Sequence, residues 1–62
     1  VSAAEIYYKN AANERLAASR QNLANRRRQH ERSAERWEEM ARAAAETERR
    51  TLINEAEKRA SR

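Results

Sequence analysis

Sixty-two residues pass without a single glycine or proline. Those two residues punctuate most chains, glycine by supplying positive φ and proline by removing a backbone donor. Average usage would place about seven of them in a chain of this length. Alanine and 24 formally charged residues stand in their place, most of them good helix formers. The expected fold is therefore all-α: a single long, nearly uninterrupted α-helix over most of Ser2–Ala60, packing in an oligomeric coiled coil or helical assembly. Residues 1–62 read as one helical segment with no separate domains.

The start of that helix is marked by Ser2 and Glu5, the S-x-x-E of a capping box, with Val1 and Ile6 at the spacing of a hydrophobic staple. Lys58, Arg59 and Arg62 suit the negative end of the helix dipole. Glu5–Lys9, Glu38–Arg42, Glu46–Arg50 and Glu55–Arg59 are favourably oriented i,i+4 pairs, each contributing about 0.2–0.5 kcal/mol to an isolated helix. The weakest helix former is Asn22–Arg28, where arginines crowd beside two asparagines. The alternative fold is a two-helix hairpin turning there, with Asn25 in the left-handed region and Ser33 as a second N-cap.

Large apolar side chains are few: Val1, Ile6, Tyr7, Tyr8, Leu16, Leu23, Trp37, Met40, Leu52 and Ile53. So small a set does not fill a globular core, and with no cysteine neither a disulfide nor a thiolate metal site can compensate. Stability must come from a partner, from self-association or from ion pairs along a solvated helix. No apolar run is long enough for a bilayer span and no signal-peptide core is visible, so a cytoplasmic setting or one inside an assembly is expected.

The apolar period indicates which face packs. A heptad frame through Leu16 meets Arg26 and Ser33 at core positions, and only Trp37–Met40–Ala44 reads as a seam. An 11-residue frame does better: Val1, Tyr8, Ala12, Ser19, Leu23, His30, Ala34, Ala41, Ala45, Leu52 and Ala56 all lack formal charge. Such a period gives a nearly straight helix pair. Leu23, Ala34, Ala41, Ala45 and Leu52, with Trp37 beside them, form the expected helix-packing interface. Trp37 is its natural anchor.

Catalysis is not expected, because one histidine and no glycine-rich loop leave no nucleophile–base pair and no phosphate cradle. Neither a cofactor nor a metal is called for. His30 is flanked by arginines that repel a cation, and it reads as a half-buried residue of the stripe.

Charge comes in blocks: residues 15–36 carry seven arginines against Glu31 and Glu35, and residues 37–57 carry six glutamates against three arginines. Opposite blocks of two copies could pair. The basic block also holds asparagine and glutamine, side chains that, with arginine, read bases. Arg26–Trp37 (R-R-R-Q-H-E-R-S-A-E-R-W) resembles the arginine-rich RNA-binding helices of phage antitermination proteins over those residues alone, with a two-residue insertion. The resemblance implies RNA contact by a helical segment.

Two function classes follow. The first is a non-enzymatic structural helix that packs against copies of itself or a larger protein complex, without a small-molecule substrate. The second is an arginine-rich nucleic-acid (RNA) binding element acting through Arg20, Arg26, Arg27, Arg28 and Arg32.

Overall fold

The chain turns once. In the computed structural model, which describes residues 1–61, helix α1 runs Ala3–Ser19 and helix α2 runs Ala24–Ala60. The two pack side by side as an antiparallel hairpin, the alternative of the two expected folds, in place of the single continuous helix. The turn, Arg20–Leu23, begins two residues earlier than the Asn22–Arg28 stretch. Asn25 lies inside α2, Ser33 is mid-helix, and no described residue has positive φ.

A turn without glycine is closed by other means. The Arg20 amide donates to Ala17 O at 3.2 Å and the Gln21 amide to Ala18 O at 3.1 Å, tightening the last turn of α1. Ser19 Oγ donates to Leu16 O at 2.7 Å. Arg27 then reaches back from α2, its Nη2 donating to Gln21 O at 3.0 Å. A cation thus sits where the carbonyl end of α1 is most negative.

Phase explains why the chain turns at all. The buried residues of α1 include Ala4, Ala11 and Ala18, a strict heptad, with half-buried Tyr7 and Glu14 between them. Continued along an unbroken helix, that frame would next fall on Asn25 and Arg32, but the buried alanines of α2 are Ala34 and Ala41, two positions late. At 3.6 residues per turn the two faces would point roughly 120° apart on one straight helix. Folding back at residues 20–23 brings them face to face.

The 11-residue stripe consequently holds in only one stretch. His30, Ala34, Ala41 and Ala45 do face α1, but Val1, Tyr8, Ala12, Ser19 and Leu23 are exposed on the wrong sides of α1 and the turn. Ser2 caps α1 as expected, Oγ accepting from the Glu5 amide at 3.2 Å. The staple does not form: Val1 is fully exposed and Ile6 is half-exposed.

What lies between the helices is thin. Ala4, Ala11, Ala18, Ala34 and Ala41 are the buried residues, and no large side chain is fully covered. Alanine stripes bring helix axes toward the close end of the ~8–10 Å packing range. The helices are also unequal, 17 residues against 37. The result is a rod of 59 × 16 × 9 Å, with a radius of gyration of 16.6 Å against about 10.6 Å for a compact chain of this length.

Candidate functional site

Three surfaces come out of this geometry: the seam, the turn and the extension of α2. The seam is alanine in its centre and polar or aromatic along its edges. Ala34 and Ala41 are wholly buried beneath α1. Beside them Tyr7 and Trp37 meet with ring centroids 5.7 Å apart and planes tilted by 32°, a geometry worth about 0.5–1.5 kcal/mol beyond area burial. Glu14 crosses to His30, whose Nδ1 stands 2.7 Å from its Oε2. Arg15 grips Glu38 with both arms of its fork, Nε to Oε2 at 3.0 Å and Nη2 to Oε1 at 2.6 Å. At the open end of α1, Glu48 Oε1 accepts the Ala4 amide at 3.4 Å, setting a carboxylate from α2 at the positive end of α1.

That fork shifts both partners. The hydrogen bond from Arg15 holds the Glu38 carboxyl below the usual carboxylate range, against some desolvation and with help from the charges of Arg15 and Arg42. Arg15 is raised in turn, first by the same hydrogen bond and the charge of Glu38. Glu38 was expected to pair along its own helix with Arg42; its strong partner is across the seam. Of the four i,i+4 pairs, Glu46–Arg50 is closed, Nε to Oε1 at 3.1 Å, and Arg49 joins the same carboxylate.

The expected packing residues divide into two groups. Ala34, Trp37, Ala41 and Ala45 lie on the face of α2 that α1 covers, so they pack within the chain. Leu23, 60% exposed, stands at the turn as the residue preceding α2, and Leu52, 64% exposed, lies on the extension. The sequence reading missed α1's share of the seam: Ala4, Tyr7, Ala11, Glu14, Arg15 and Ala18. Its signal was present, since alanines seven apart at 4, 11 and 18 are a heptad that a single frame for the whole chain obscures.

Arg20, Arg26, Arg27, Arg28 and Arg32 are brought together around the turn, all exposed. Arg28 Nη2 donates to Asn25 Oδ1 at 2.8 Å, and Arg27 is held by the Gln21 carbonyl. The first turn of α2 contains no acid and Leu23 supplies no side-chain cap, so the positive helix end adds to the arginines.

Beyond Glu48 the long helix continues bare. Every residue from Thr51 to Ala60 is exposed, including Leu52 and Ile53. Where α1 begins against this extension, Ser2, Thr47, Glu48, Thr51, Leu52 and Glu55 line an open, mostly apolar groove.

No group of three histidine, cysteine or acidic side chains among the described residues is arranged to hold a metal. No helix among them is long and apolar enough to cross a membrane. Comparison with protein-family models, with curated proteins and with solved structures finds no match, so function is argued from the chemistry of these surfaces.

Proposed function

We propose that this protein is a non-enzymatic assembly element, a helical hairpin whose bare α2 extension docks against a helix of a second copy or of a larger protein complex. The observation that carries the reading is the inequality of the two helices. The 37-residue α2 outruns the 17-residue α1, leaving Leu52 and Ile53 64% and 50% exposed on an otherwise helical ledge. An isolated helical tail of this length is marginal in water, and packing of an apolar side is what ordinarily sustains one. The groove beside Ser2 and Leu52 gives such a partner helix a place to begin.

Ala34 and Ala41 are already covered by α1 and half-buried Trp37 packs on Tyr7, which favours the bare extension over the seam as the docking surface. The proposed docking residues are Leu52, retained from the expected interface, and Ile53 beside it. Sedimentation velocity over a range of micromolar concentrations tests this, with Leu52→Glu/Ile53→Glu as the variant and circular dichroism as the check on folding. Association that disappears in the double variant while the hairpin remains helical supports the reading. A monomer whose extension stays fully helical without partners would replace it with a solvated spacer.

A further inference from the structure

The net charge of this protein is confined to one place. Between Ser19 and Ser33 five arginines face a single glutamate, Glu31, so this segment carries the whole net charge of +4 and the rest is formally neutral. The fold concentrates it further. Arg20 caps the end of α1, Arg26–Arg28 follow the start of α2, and Arg32 lies one turn on, all at one end of a 59 Å rod. Among the described residues none of the five guanidiniums has a carboxylate within 4.0 Å, whereas Arg15, Arg49 and Arg50 each do. The acceptors that Arg27 and Arg28 do have, a carbonyl and an amide oxygen, fix these side chains without neutralising them.

We propose that the turn end of the hairpin binds the phosphate backbone of a nucleic-acid duplex, end-on and without reading bases. This goes beyond the assembly role, which uses the opposite end of the molecule. Charge density points to a duplex, which presents one phosphate per ~1.7 Å of axis. Single-strand binders add aromatic platforms on which bases stack, and Tyr7, Tyr8 and Trp37 all lie outside the 19–33 segment. The approach is end-on because Glu31, Glu35 and Glu39 interleave with Arg28, Arg32 and Arg36 along α2. Laid lengthwise in a groove, the helix would press all three carboxylates on phosphates; presented by its tip, it offers five arginines against Glu31 alone.

Fluorescence anisotropy with a short labelled DNA duplex tests the proposal at about 50 and about 200 mM salt. With three to five phosphates neutralised, affinity is expected to fall roughly 40- to 500-fold across that interval. Arg26→Ala/Arg27→Ala/Arg28→Ala should weaken binding at least tenfold. Arg26→Gln/Arg28→Gln/Arg32→Gln, which keeps the Arg27 brace on the turn, should do the same with helix content unchanged. The charge-matched Lys9→Ala/Lys58→Ala/Arg59→Ala should bind almost as the parent does. An RNA duplex of equal length should bind comparably, since neither bases nor sugars are read. Absence of binding at the lower salt overturns the proposal, as does equal weakening in the charge-matched control. Tighter binding to a single strand, or to anionic lipid vesicles, than to the duplex also overturns it.

Discussion

Two stretches of the same helix, His30–Glu48 under α1 and Thr51–Ala60 beyond it, show that the reach of the neighbouring helix, and not hydrophobicity alone, decides what this molecule buries. The bare stretch has Leu52 and Ile53, 64% and 50% exposed, while the covered stretch conceals Ala34 and Ala41 completely. Leu52 and Ile53 have no α1 residue opposite them, because α1 begins beside Glu48. Along the seam itself, alanine lets the two helices approach closely. Larger side chains are pushed to the edges, where Trp37 leans on Tyr7 and Glu38 reaches Arg15. A third helix would be needed to make Leu52 and Ile53 into core residues.

The contrast can be broken most forcefully from the covered side. Ala41→Asp places an unpaired charge in the seam and should cost about 3 kcal/mol or more, abolishing the cooperative thermal transition followed by circular dichroism. Ala56→Asp, the same change on the bare stretch, should shift stability by less than ~0.5 kcal/mol. Trp37→Ala removes a half-buried ring and its aromatic partner contact, with an expected loss of about 2 kcal/mol in urea unfolding. Native-state hydrogen exchange should sharpen the boundary, amides of Thr51–Ala60 exchanging about tenfold or more faster than those of Ala34–Ala44 in the dilute protein.

Acid provides a gentler probe. Because the folded-state pKa of Glu38 is depressed, its contribution is complete above the unfolded carboxylate value and is lost as pH falls through the lowered folded one. Arg15, already strongly basic and raised further, stays charged throughout that window. Thermal melts should therefore weaken on the acid side, and Glu38→Gln should flatten that part of the profile. A modest effect is expected at the turn, where Arg27→Ala removes one guanidinium–carbonyl hydrogen bond and should cost about 0.5–1.5 kcal/mol by the same melts.

Helix content was legible in the sequence, and so was the Ser2 cap, because both depend on residues within a few positions of one another. The burial of Ala34 and Ala41 was legible too, since within α2 the long-period stripe and the local heptad coincide over His30–Ala45. Topology was legible only as the alternative, a hairpin turning at the weak helix-forming stretch Asn22–Arg28, which the observed turn at Arg20–Leu23 overlaps. With no glycine to announce it, its other trace was the two-position slip between the alanine heptads at 4, 11, 18 and at 34, 41. A stripe drawn through the whole chain averages over that slip and assigns Tyr8 and Ala12 to a face that is exposed. Cross-seam partners such as Arg15–Glu38 and Glu14–His30 follow only once the antiparallel register is known.

That slip also sets how near this architecture lies to another one in the space of genes. All four turn residues, Arg20, Gln21, Asn22 and Leu23, are types that a helix accepts. Losing any two of the codons that encode them would bring the alanine frames of α1 and α2 into register along a single helix. The protein would then have no reason to fold back on itself. Its one continuous face would lie open, with Arg15 and Glu38 too far apart along one helix to meet. An in-frame loss of six nucleotides would thus erase the offset that the turn now absorbs while leaving every seam residue in place.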